Sequence, residues 1–107
     1  MTLIPVVPRE VARRDIDATI DFYLAQGAAA AALGFVDALE AAVATVGTQP
    51  SAGSPRHGHE LGLPGLRTWP LAGYPYLLFY LERRDHVDLW RVLHSRRDIP
   101  ASLSFDS

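Results

Sequence analysis

Cysteine is absent from all 107 residues. That removes any disulfide framework and every mechanism built on a thiolate nucleophile or thiolate metal ligand. Lysine is absent too, so all ten basic side chains are arginine. Twelve carboxylates leave a formal net charge of −2, which excludes a uniformly basic coat for nucleic acid. No uninterrupted apolar run reaches the ~20 residues that span a bilayer. The opening "MTLIPVVPRE" has neither the basic start nor the small-residue cleavage site of a signal peptide. A cytoplasmic protein without membrane association is therefore expected. There is no glycine loop to cradle phosphate and no paired-carboxylate hydrolase signature, and no cofactor is expected.

What is present is unevenly charged. Residues 9–47 set three arginines against six acids, whereas residues 56–98 set seven arginines against five. Nearly half the chain is apolar, a globular composition for which one domain over 1–107 is expected. "TLIPVV" (2–7) reads as a strand, confined by Pro5 to an edge or to one-sided pairing. Ala12, Ile16, Ile20 and Tyr23 then recur at helical spacing, with Asp15, Asp17 and Asp21 on the other face and Gly27 ending the helix. A second helix follows at once, with the seam Ala32, Val36, Leu39, Val43 and Val46; Gly34 inside it marks a tight contact. So short a turn makes 9–47 an antiparallel helical hairpin.

Residues 48–65, "TQPSAGSPRHGHELGLPG", read as loop with a turn at "HEL". Three strand runs follow, "LRTWPLA", "YLLFYLE" and "VDLWRVLH", as an antiparallel meander over 66–94. Pro70 makes the first an edge, and the middle run is apolar on both faces, as the centre of a sheet requires. Residues 95–107 form a short tail. The expected fold is α+β, in the order β-α-α-β-β-β, with the hairpin packed on a small, mainly antiparallel sheet.

The densest polar cluster is "RVLHSRRD" (91–98). Alternation groups Val87, Leu89, Arg91 and Leu93 on one face and Asp88, Trp90, Val92 and His94 on the other. Arg91 among apolar neighbours points to an ion pair with Asp98 or a helix acid, or to a donor fork for a phosphate or partner carboxylate. His94 at the strand end is open to general-base, phosphate-binding or plain strand-end roles. Arg96 and Arg97 alternate sides, so one is free for contact, and Asp98 reads as a cap or salt-bridge anchor. Arg67 and Trp69 face one way and allow an arginine–aromatic stack. His57 and His59 have chelating H-x-H spacing but no third ligand nearby, so no metal site is expected. Tyr74, Tyr76 and Tyr80 read as core and turn aromatics.

The run "ELGLPGLRTWPLAGYPYLLFYLERRDHVDLWRVLHSRRD" resembles the C-terminal half of the ParE branch of the RelE/ParE toxin superfamily, the plasmid stabilisation proteins. Its G-L-R, Y-L-L-F-Y and R-V-L-H-x-R-R-D segments carry the likeness. "DIDATIDFYL", "GFVDALEAAV" and "QPSAGSPR" extend it over nearly the whole chain. The resemblance implies the toxin of a type II toxin–antitoxin pair, neutralised by a ParD-like antitoxin and acting on DNA gyrase to block replication. It implies contact with DNA only indirectly, through antitoxin or gyrase. Such a gyrase poison acts by binding, not as an enzyme.

The alternatives are a RelE-type ribosome-dependent mRNA interferase using Arg67 and His94, or a non-toxic partner-binding module of the same fold. The interferase lysine set is missing, and no tyrosine follows His94. On the toxin reading, Arg67, Arg91, Arg96 and Arg97 contact target or antitoxin. Phe35, Ala38, Ala42 and Tyr80 form a groove for the antitoxin's C-terminal segment.

Overall fold

The computed structural model describes residues 4–97 and 99–103. A short strand β1 (Val6–Pro8) leads into helices α1 (Glu10–Ala25) and α2 (Ala29–Thr48). A 3-10 turn (Pro50–Ala52) and a six-residue helix α3 (Arg56–Leu61) precede the strands β2 (Leu66–Pro70), β3 (Tyr76–Glu82) and β4 (Val87–His94). A final helix, α4, spans Ile99–Leu103. The expected β-α-α-β-β-β order is present, and α3 and α4 are additions to it. Local composition hides both. Arg56 Nε lies 3.1 Å from Glu60 Oε1 along one face of α3, and left-handed Gly62 ends that helix.

The sheet runs β1-β4-β3-β2, with β1 parallel to β4 and the other pairs antiparallel. Both proline-bearing strands lie at edges, as the missing ladder donors require. β1 starts at Val6 and takes in Pro8, later than the 2–7 reading; Thr2 and Leu3 lie outside the described residues.

Central β3 is covered on both faces. Leu78 and Tyr80 meet the hairpin with Ala12, Phe35, Leu39 and Val46, while Phe79 joins Leu66, Trp90, Leu93, Ile99 and Leu103 on the reverse. The pairing slips between Phe79 and Tyr80, which face Arg91 and Leu89 and leave Trp90 as the extra residue of a bulge. The strict alternation read from β4 therefore breaks. Val92, not Leu93, joins Val87 and Leu89 on the helical side.

α2 is also rotated from its expected seam. Ala32, Phe35, Leu39, Ala42 and Val46 are buried, while Val36 and Val43 are only partly buried. Phe35 sets the rotation, with its ring 6.4, 6.0 and 5.4 Å from those of Tyr23, Tyr74 and Tyr76. Gly34 does mark a close contact. A Cβ there would collide with the Tyr74 hydroxyl, which donates to Ala31 O at 2.8 Å. By length and composition α2 is apolar enough to cross a membrane, although it is not an uninterrupted apolar run. Asp37 and Glu40 interrupt it, and its inner stripe forms the core.

At the start of β4, buried Asp88 accepts from Arg9 Nε and Nη2 at 3.0 and 2.9 Å, from Arg83 Nη2 at 3.1 Å and from Trp90 Nε1 at 3.3 Å. The Arg9 guanidinium also stacks 4.4 Å above the Trp90 ring. Burial works to raise the Asp88 carboxyl, but the hydrogen bonds from Arg9 and Arg83 outweigh it and hold it below the usual range. A carboxyl depressed on folding stabilises above its unfolded pKa of about 3.9, and that contribution fades as pH falls through the lower folded value. Acid titration of thermal stability is expected to show a loss below about pH 4 that is smaller in Asp88→Asn. Identical acid limbs in the two proteins would contradict this role.

Candidate functional site

The site lies where β4 runs out past β1. The parallel pairing ends at Pro8 and Leu89, after which Arg9 N–H donates to Leu89 O at 3.0 Å. From there α1 lies along the vacated edge, and its Asp15 accepts the Val92 N–H at 3.1 Å. The same carboxylate takes Arg91 Nε at 2.7 Å and Nη2 at 2.8 Å, with both side chains 8% exposed. This bidentate pair realises one of the two ion-pair options for Arg91, a helix acid. Asp98, the other candidate, lies outside the described residues.

Next to this clamp is a cleft of about 210 Å³ between α1 and the end of β4. Asp15, Ala18, Thr19 and Phe22 line it from α1, and Tyr76, Val92, His94 and Arg97 from the sheet end. His94 stacks edge-on against Tyr76, with centroids 5.2 Å apart, and its Nδ1 accepts the Arg96 N–H at 3.1 Å. Phe22 is 55% exposed although apolar. Burial, followed by the neighbouring Tyr76 and Tyr74, pushes the Tyr23 phenol above its ordinary value. Arg96 and Arg97 are exposed, and no carboxylate among the described residues pairs with either.

Arg67 sits elsewhere. It lies opposite Tyr80 on β3 and donates from Nη1 to Gly53 O at 2.8 Å, so its guanidinium latches the turn before α3, where the sequence also allows a stack with Trp69. His94 faces Tyr76 on the same strand, four residues from Tyr80, or about 13 Å along β3. The two residues of the interferase reading are thus not brought together.

The expected groove residues divide. Phe35 and Tyr80 are fully buried and offer no surface; alternation and helical spacing alone could not tell a lined groove from a filled core. Ala38 and largely buried Ala42 line a shallow groove between α2 and the end of β2, beside Ala41, Trp69 and Leu71. A second apolar groove, between Ile4, Val6, Leu39 and Val43, flanks α2 on its β1 side. On α3, His57 packs its ring on Phe79 while His59 is exposed. Residues two apart on a helix face different ways, so the H-x-H spacing does not converge.

Sequence reasoning missed Asp15, Thr19, Phe22 and Tyr76. A buried arginine needs a carboxylate, and that need was a signal for Asp15. An aromatic off the apolar stripe of α1 was the signal for Phe22.

A family model described as the ParE toxin of the type II toxin–antitoxin system, parDE, matches residues 6–99. A solved structure described as the chromosomal ParDE TA system from P. aeruginosa superposes with a TM-score of 0.71 at 21% sequence identity. The superposition covers 86% of this chain and 96% of that one, and shows the shared fold. No curated protein gives a significant match.

Proposed function

The chain belongs to the ParE toxin family of type II toxin–antitoxin systems, and from that premise we propose that it poisons DNA gyrase by binding and is neutralised by a ParD-like antitoxin. It acts in the cytoplasm and meets DNA only through gyrase or the antitoxin. The observation that carries binding over RNA cleavage is the separation of Arg67 from His94, with the Arg67 guanidinium engaged on Gly53 O. Cleavage of RNA needs a base, an acid and cations converging on one phosphate. Exposed Arg96 and Arg97, just past the end of β4, instead suit contact with a protein surface.

Induction in growing cells, followed by pulse-labelling, tests this reading. Thymidine incorporation should stop before methionine incorporation, and co-expression of the antitoxin should restore both. Methionine incorporation stopping first would favour the ribosome as target, and neither stopping would leave a partner-binding module. The double variant Arg96→Ala, Arg97→Ala is expected to keep its circular dichroism spectrum and lose most of the growth arrest. Undiminished arrest by a folded double variant would remove these arginines from the target contact.

A further inference from the structure

We infer that the cleft between α1 and the end of β4 seats a carboxylate side chain from the antitoxin's C-terminal segment, with an apolar neighbour of that residue resting on Ala18 and Phe22; this rests on the toxin–antitoxin reading above. Two residues of the sheet-end wall, His94 and Arg97, carry hydrogen-bond donors. Because His94 Nδ1 accepts the Arg96 N–H, the neutral ring carries its proton on Nε2. Arg97 lines the same cleft with no carboxylate among the described residues to pair with it. The carboxylate already present, Asp15, is neutralised by two Arg91 donors and the Val92 N–H, so it does not repel a second anion as a free one would.

The α1 wall of the cleft presents Ala18 and the exposed apolar ring of Phe22. Asp17 and Asp21 stand exposed on α1 beside Ala18 and Phe22. One carboxylate can avoid them, whereas a run of phosphates cannot, which favours an acidic peptide over a nucleic-acid backbone. The antitoxin then covers Arg97, the same residue assigned to the target, and neutralises the toxin by masking it.

Calorimetric titration of the full chain with its antitoxin tests this, using Arg97→Gln, His94→Gln and antitoxin variants with each C-terminal Asp or Glu changed to its amide. Arg97→Gln is expected to weaken binding by roughly 30-fold or more, the scale for losing one partner of a desolvated charge pair. One antitoxin amide variant should show a similar loss and add little to it in combination, as a double-mutant cycle reads coupling. Parent-like affinity in folded Arg97→Gln would overturn the inference, as would losses that add independently for every carboxylate. If His94→Gln does not fold, Arg97→Gln decides alone. Tight binding of a labelled dT12 oligonucleotide, lost in Arg97→Gln while antitoxin affinity holds, would assign the cleft to nucleic acid instead. An antitoxin that does not bind the parent chain at all defeats the toxin–antitoxin reading itself.

Discussion

Changing Asp15 to asparagine is expected to destabilise the chain by about 3–5 kcal/mol, the cost of leaving one member of a buried ion pair uncompensated. Asp15 satisfies Arg91 at 2.7 and 2.8 Å and the Val92 N–H at 3.1 Å, with both side chains of the pair 8% exposed. Domains of this size are stable by only about 5–15 kcal/mol, so roughly a fifth or more of the total is at stake. Urea unfolding followed by tryptophan fluorescence measures the effect. The double variant Asp15→Asn, Arg91→Met should lose less than the two single variants combined, because it no longer buries a lone charge. A single variant within about 1 kcal/mol of the parent would show the pair to be incidental. The consequence reaches the site, since this pair pins α1 to β4, two of the elements that wall the cleft.

The second large effect is expected at Tyr80. Its buried hydroxyl donates to Pro50 O at 2.7 Å and accepts the Gly53 N–H at 3.0 Å. Tyr80→Phe strands both groups and should cost about 1–3 kcal/mol. Gly53→Ala should cost a similar ~1–3 kcal/mol by overpacking, because its Cβ would stand 2.8 Å from Thr68 O and collide with the Tyr80 hydroxyl. Both changes loosen the turn that Arg67 latches, so their sum should not be additive.

Burial raises the Tyr80 phenol, with the Gly53 bond and Arg67 partly opposing it. A group raised on folding stabilises fully below its unfolded pKa of about 10, and its contribution fades as pH rises above that. The parent's stability should therefore fall on the alkaline side more steeply than that of Tyr80→Phe. Thermal melts from pH 8 to 11 compare the two proteins directly. A Tyr80→Phe variant as stable as the parent at pH 8 would contradict the role of the hydroxyl.

Local pattern carries the element order, because helical spacing in α1 and α2 and the proline-marked edges are properties of neighbouring residues. Long-range geometry is not legible in the same way. The bulge at Trp90 is created by pairing with β3, and it reverses which of Val92 and Leu93 meets the helices. The rotation of α2 follows from the room Phe35 finds among three tyrosine rings, which no heptad count contains. At the site, apolar neighbours mark Arg91 as a buried arginine in need of a carboxylate. Its partner lies 76 residues away, on a helix whose acidic face reads as solvated from spacing alone. The charge of Arg67 suggests a contact role, and only the fold reveals that Gly53 O receives it.

The identity of the target is the most direct test. Purified chain should be added to gyrase with negatively supercoiled plasmid, and in parallel to programmed ribosomes carrying mRNA in the A site. Gyrase-linked, cleaved plasmid is expected to accumulate in proportion to added chain and to disappear when antitoxin is included, while mRNA stays intact. Intact plasmid beside cleaved mRNA would contradict gyrase poisoning and return Arg67 and His94 to the centre of the chemistry.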